Sequence, residues 1–171
     1  MAFIFKVEDG TGYPDATSYA SVEYADEYIS FFYPEDAQWT ALSESDKEKK
    51  LMIATKFLDG AVRWQSSLKR DTQSLEWPRQ EFTDLNGRIV KPDSAPQAII
   101  DATVILAYSS LSSSLSTGSY SIIEERFGDT QDTYAAPVTI SENGDVRAIL
   151  KELSSLGYSQ SRGAYVSVQR Q

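Results

Sequence analysis

The side chains that could carry chemistry in this chain are mainly carboxylates, because the sequence contains no histidine and no cysteine. That absence removes imidazole bases, thiol nucleophiles, disulfides and most zinc or copper sites. The nearest thing to a carboxylate cluster is Glu124-Glu125, followed by Asp129 and Asp132. Adjacent residues of a strand point to opposite faces, so the two glutamates would not act together. We therefore expect a protein that is not an enzyme and needs no cofactor.

Metal and phosphate motifs are equally weak. Asp84-Leu85-Asn86-Gly87 resembles part of a calcium loop but lacks the acidic residue several positions later, so a hairpin turn is the better interpretation. The chain has no glycine-rich phosphate loop, no Gly-x-Ser-x-Gly elbow and no zinc-ligand spacing. We expect no metal site.

Aromatic residues are the other candidates for a binding site, and many of the 10 Tyr, 7 Phe and 3 Trp lie within residues 13–39. Stacking of single-stranded bases needs cations among the rings, but the charges interleaved here are acidic. Core packing or a protein contact surface explains these rings better. The one mildly basic stretch comprises Arg63, Lys69, Arg70, Arg79, Arg88 and Lys91. It is either a solvated loop face or a contact surface, and the residues leave both open.

Charge limits the partners. The chain has 171 residues with a formal net charge of −9, and most of the acidic excess lies in residues 1–60. Such a chain repels phosphate backbones at long range and is a poor candidate for a general nucleic-acid binder. No stretch approaches the roughly 20 apolar residues of a membrane span, and the N-terminus does not resemble a signal peptide. We expect synthesis in a cytoplasm and no membrane partner.

The elements that position the side chains discussed above are predicted to be mainly helices. Ser21 predicts the start of a helix over 22–32, whose apolar face is Val22, Ala25, Tyr28, Ile29 and Phe32, and Pro34 ends it. Ser43 predicts a second helix that runs to about Trp64. That helix has two apolar faces, the second formed by Ile53, Phe57 and Trp64. The second face packs within the chain or against another subunit.

The third helix is predicted from Pro96 to about Ser112 and is apolar nearly all round, so it must be buried as the centre of the fold. A last helix is predicted over 145–156, ended by Gly157 as a left-handed cap. Residues 3–7, 121–127 and 164–168 have strand character. The expected fold is mainly α: a small helical bundle around a central buried helix, with short β-strands or a hairpin. We divide it into a helical domain, 1–157, and an extended C-terminal arm, 158–171.

The connection Gln73-Ser74-Leu75-Glu76-Trp77-Pro78-Arg79 places a Trp-Pro pair outside the predicted helices. Proline disfavours helix at the preceding residue, so the tryptophan is held on a loop. Its large amphipathic side chain suits a packing anchor or a contact surface. The residues alone leave both possibilities open.

Several motifs, in order, resemble a known family over residues 1–112. They are Val7-Glu8-Asp9-Gly10-Thr11-Gly12, Ala16-Thr17-Ser18-Tyr19, the Tyr24–Tyr28 helix, Trp39, Lys47, Ala54-Thr55-Lys56-Phe57-Leu58-Asp59, Leu75-Glu76-Trp77-Pro78-Arg79, Asp84-Leu85-Asn86-Gly87 and Pro96. The family is that of the small helical head-to-tail connector proteins of tailed bacteriophages, also called adaptors or head-completion proteins. Part of that group carries the label DnaT-like single-stranded-DNA-binding. The resemblance is weaker over 113–171, and the Ser-rich stretch 109–121 departs from the pattern.

The resemblance implies a structural virion protein made in the host bacterial cytoplasm and located in the neck. It would form a ring, usually of twelve copies, between the portal protein and the tail or neck proteins, and double-stranded DNA would pass through without specific binding. Rings need two complementary patches per subunit. Our candidates for the subunit interface are Phe57, Trp64, Trp77 and Arg79. For an arm that contacts the portal they are Tyr165, Val166, Val168 and Arg170. The alternatives are a DnaT-like single-stranded-DNA-binding protein and another virion protein, such as a tail-completion protein, on the same fold.

Overall fold

The chain folds into a mainly α-helical structure in the computed structural model, which describes residues 4–112, 115 and 144–159. The helices are α1 (Val22–Phe32), α2 (Glu44–Ala61), α3 (Gln97–Ser109) and α4 (Gly144–Glu152), and a 3-10 turn follows at Leu153–Ser155. The strands are β1 (Val62–Trp64), β2 (Phe82–Thr83), β3 (Ile89–Val90) and β4 (Gly157–Ser159). They form two two-stranded antiparallel sheets, β1–β4 and β2–β3. The expected mainly α fold with a short hairpin is confirmed.

The predicted starts of the first two helices are confirmed by their caps. The Ser21 hydroxyl accepts from the Tyr24 amide at 3.1 Å, and the Ser43 hydroxyl accepts from the Asp46 amide at 3.2 Å. Each bond satisfies an amide that has no partner within its own helix. Helix α1 ends at Phe32, as the proline two residues later predicts.

Helix α2 ends three residues earlier than predicted. Residues Val62–Trp64 are extended and pair with β4, where Val62 lies opposite Ser159 and Trp64 opposite Gly157. The alternating burial of this strand places Val62 and Trp64 inward and Arg63 outward. The helical pattern could not show this, because the strand that captures these residues lies about 90 positions away along the chain.

Gly157 is not the left-handed helix cap that we expected. It lies in β4, after the 3-10 turn, and β1 runs directly against it. A Cβ atom there would lie 2.7 Å from a methyl group of Val62 and 2.9 Å from the Arg63 carbonyl oxygen. The glycine is needed because two backbones approach closely, which is a different requirement from a positive φ.

Helix α3 is the centre of the fold and packs against α1, α2 and α4. Its fully buried residues include Ile99, Val104, Leu106 and Ala107. The sequence predicted that this helix is buried on all sides. The prediction holds except at positions such as Ile105 and Tyr108, which are half-buried. The neighbouring helix α1 buries Val22, Ala25 and Ile29 against the core, whereas Tyr28 is only half-buried and Phe32 is exposed.

The strand expected over residues 3–7 reduces, in the described residues, to a single parallel bridge between Val7 and Ser18. The Asn86-Gly87 turn is confirmed: Gly87 has a φ of +80°, and Asp84 and Arg88 close the loop through backbone hydrogen bonding. The strands expected over 121–127 and 164–168 lie outside the described residues, as does most of the C-terminal arm. The division at residue 157 stays a prediction.

Candidate binding surfaces

The Trp77 loop is a packing anchor, which decides between the two interpretations of the sequence. The Trp77 side chain is 0% exposed. Its ring meets that of Trp64 edge-to-face with centroids 5.6 Å apart, and it lies 6.1 Å from the Phe82 ring. The loop therefore joins β1 to the β2–β3 hairpin through edge-to-face and tilted aromatic contacts.

A buried polar cluster holds this loop against α2. The Tyr19 hydroxyl donates to Asp59 at 2.6 Å and accepts from the Trp77 amide at 3.1 Å. The second oxygen of Asp59 accepts from the Glu76 amide at 3.3 Å. Burial raises the pKa of Asp59 to about 7, although these hydrogen bonds favour its charged form. Burial, and then the charge of Asp59, also raise the pKa of Tyr19 well above its usual range.

Arg79 serves the same loop. Its guanidinium donates to the Ser66 carbonyl oxygen at 2.6 Å and forms an ion pair with Glu76. The neighbouring Gln73 donates to the carbonyl oxygens of Leu75 and Pro78 at 2.7 and 3.0 Å. These contacts close the loop on itself, so Arg79 is bound within the chain and is removed from the basic surface that we inferred from sequence.

The four residues proposed for a subunit interface, Phe57, Trp64, Trp77 and Arg79, are all buried, with at most 7% of each exposed. The chain's own core and loop contacts cover them, so they present little surface to a second copy. The sequence pattern could not distinguish the two roles, because a wide apolar helix face and a loop tryptophan occur both in protein cores and in interfaces. Their interface role stays a prediction. The residues of the proposed portal arm, Tyr165, Val166, Val168 and Arg170, lie outside the described residues.

The remaining cations of the basic stretch are at the surface. Arg63, Arg70, Arg88 and Lys91 are exposed, and none of them has an ion pair within the described part of the chain. Lys69 is half-buried and donates to the Gly10 carbonyl oxygen at 2.6 Å. We call these cations together the cationic surface; the same stretch of the sequence also contains three exposed acids, Asp71, Glu81 and Asp93.

Two parts of the cationic surface are brought together by tertiary structure. The Gln65 amide donates to the Leu156 carbonyl oxygen at 3.1 Å, and the Leu85 amide donates to the preceding carbonyl, that of Ser155, also at 3.1 Å. The exposed Arg63 lies two residues before Gln65, and the exposed Arg88 lies three residues after Leu85. Both arginines are therefore held near residues 155 and 156. Leu85 and Ile89, on and beside the turn, are 59% and 67% exposed. The hairpin thus presents apolar and cationic side chains together.

Helix α1 carries a second surface, within the aromatic-rich stretch 13–39 for which the sequence left core packing and a protein contact surface open. The aromatic ridge consists of Tyr24, Tyr28 and Phe32, spaced four residues apart, with ring centroids 6.1 and 4.5 Å apart. Phe31 packs edge-on against Phe32 at 5.0 Å, and these two side chains are 78% and 58% exposed. The i, i+4 spacing was the available signal, but we assigned Tyr28 and Phe32 to the buried face.

Carboxylates surround the aromatic ridge. Glu23 and Glu27 are exposed, and each directly precedes a tyrosine of the aromatic ridge. They are spaced four residues apart, with Phe31 four residues further on, and we call these two glutamates the acidic ridge. The Tyr24 hydroxyl donates to Asp101 at 2.5 Å, and burial together with this bond raises the pKa of Tyr24 to about 12. The rings of the aromatic ridge and the cations of the cationic surface, which a single-strand site would combine, therefore lie on different elements of the described chain.

No group of three or more potential metal ligands occurs among the described residues, and no helix there is long and apolar enough to cross a membrane. The fold is that of a small, mainly α-helical domain that carries a cationic surface and an aromatic ridge. The chain belongs to the family described as "Putative DnaT-like ssDNA binding protein", whose model matches residues 1–171. No curated protein and no solved structure matches the chain. The family's description agrees with the alternative drawn from the sequence better than with the connector role.

Proposed function

We propose that this chain binds single-stranded DNA at the cationic surface. The observation that carries the proposal is membership, over the whole chain, of a family described as single-stranded-DNA-binding. The exposed arginines Arg63, Arg70 and Arg88, with Lys91, are suited to contacting phosphates. Leu85 and Ile89 offer apolar contact to bases beside them.

The charge distribution limits this affinity. The formal charge is −9, and three exposed acids lie in the same stretch of the sequence as the cations. Each phosphate contact to a single strand contributes about −0.7 to the slope of log K against log salt, so four cations give a slope of about −3. We expect weak binding, with a Kd on the order of micromolar at low salt and no sequence preference.

Fluorescence anisotropy with a labelled oligothymidylate, titrated at several salt concentrations, tests the proposal. Arg88→Ala should weaken binding and make the salt slope shallower by about 0.7. The matched control is Lys56→Ala, which removes an exposed cation from α2, away from this surface. No binding at low salt, or equal losses in both variants, would refute the proposal.

The second candidate function is the phage connector, a ring docked between portal protein and tail or neck proteins. It is supported by the resemblance over residues 1–112 and by the exposed aromatic side chains of α1. An acidic subunit also suits a channel through which double-stranded DNA must slide without being held. In this case the protein is structural and resides in the neck of the virion.

Native mass spectrometry distinguishes the two functions. A connector should form a closed ring of twelve copies, alone or on addition of portal protein, and deletion of residues 160–171 should abolish docking to portal. A chain that stays monomeric in both conditions and binds oligothymidylate would contradict the connector and support the first proposal. The reverse pattern would contradict DNA binding.

A further inference from the structure

The aromatic ridge of α1 has the features of a docking site that is not filled by the described residues. Phe31 and Phe32 are largely exposed, although large aromatic side chains are normally buried. The acidic ridge beside them adds Glu23 and Glu27, and Glu35 lies just beyond the end of the helix. A fitting partner is an extended peptide that is apolar at its centre, basic at its ends and free of acidic side chains.

The last twelve residues of this chain have that composition. Residues 160–171 contain two arginines, Arg162 and Arg170, and no acidic side chain. Tyr165, Val166 and Val168 lie between the arginines. We infer that residues 160–171 dock in the same chain along α1, with Tyr165–Val168 over the aromatic ridge.

The described chain ends level with the start of α1, which suits this arrangement. Ser159 pairs with Val62, which directly follows α2. Helices α1 and α2 run antiparallel, because the Tyr19 hydroxyl bonds to Asp59 near the end of α2 while Asp26 bonds to Lys47 near its start. The tail therefore begins near the first turn of α1 and can run towards its last turn.

The distances agree with the order of the side chains. Along α2, the fifteen residues from Lys47 to Val62 span about 22 Å. Tyr165 and Val168 are six and nine residues beyond Ser159, which gives an extended reach of about 20 to 30 Å. The 22 Å corresponds to the level of Asp26, and Phe32 lies six helical residues, or about 9 Å, farther along α1. The arm is therefore long enough for Tyr165 to reach the level of Asp26 and for Val168 to reach that of Phe32, with Arg162 beside the acidic ridge and Arg170 towards Glu35.

The same-chain arrangement follows from the tether. A short linker that spans two sites raises the effective concentration of a ligand to about millimolar, so weak apolar and charge contacts suffice. Each exposed charge pair adds little by itself, which leaves the burial of Phe31 and Phe32 as the main gain.

Engineered disulfides test the inference in the full chain, which has no native cysteine to interfere. The test pair is Phe32→Cys with Val168→Cys; the control pair is Ile53→Cys with Val168→Cys, because Ile53 is 50% exposed on α2. Under mild oxidation the test pair should form an intramolecular disulfide at least about tenfold faster than the control pair. Adding Arg162→Glu and Arg170→Glu to the test pair should slow it.

The products separate on a non-reducing gel. A fast-migrating monomer supports docking within one chain. Disulfide-linked dimers alone, or equal rates in the two pairs, would overturn the inference. Near-ultraviolet circular dichroism of the buried tryptophans verifies that each variant is folded, and Phe31→Cys with Val168→Cys supplies a second test pair should the first not fold.

Discussion

The pH dependence of stability should identify Asp59 as a buried titrating group. Its carboxyl accepts hydrogen bonds from Tyr19 and from the Glu76 amide, yet burial raises its pKa from 3.8 to about 7. The folded state therefore holds a proton on Asp59 at pH values where the unfolded chain has released it. The stabilisation that this bound proton gives to the folded state is fully present below the pKa of Asp59 in the unfolded chain. It is lost as pH rises through about 7.

The magnitude follows from the two pKa values. With 3.8 for the unfolded chain and about 7 for the folded protein, linkage gives about 3 kcal/mol at pH 5 and nearly zero at pH 8. With a urea m-value of about 1–3 kcal/mol/M, the midpoint of unfolding should fall by about 1–3 M across this range. No histidine or cysteine titrates in the same window, because the chain has none.

The assay is urea unfolding followed by tryptophan fluorescence at pH 5, 6, 7 and 8. Trp64 and Trp77 are buried and should report global unfolding. Asp59→Asn removes the titration and should give a flat profile, whereas Asp71→Asn, which removes an exposed carboxylate from the neighbouring loop, should give the wild-type profile. Parallel profiles for the wild type and Asp59→Asn would refute the reasoning.

Three further predictions concern packing, and each is checked by urea unfolding. Trp77→Ala should lower the free energy of unfolding by about 3–5 kcal/mol, since it empties the centre of an aromatic cluster; a loss below 1 kcal/mol would mean that the loop is not an anchor. Gly10→Ala should cost more than about 2 kcal/mol, because its Cβ would lie 1.6 Å from the Asp93 carbonyl oxygen and φ is +98°. Gly157→Ala should cost about 1–3 kcal/mol through its contact with Val62, and an unchanged midpoint would contradict the close approach of β1 and β4.

Local signals in the sequence were sufficient for the helices and the hairpin. Ser21 and Ser43 cap the helices that they predicted, because a cap acts on amides two or three residues away. The apolar pattern of α3 predicted a central helix, since periodicity reports how many sides are buried. Asn86-Gly87 predicted its turn because the left-handed conformation is a local property of glycine.

Tertiary structure alone decided the roles of residues whose partners are distant in sequence. Trp77 became an anchor because Trp64 and Phe82 close around it, and β1 replaced the last turn of α2 because β4 pairs with it. Phe32 remained at the surface although it shares a helical face with Ile29. Hydrophobic periodicity specifies that a side chain can be covered; which element covers it depends on contacts between segments that only folding brings together.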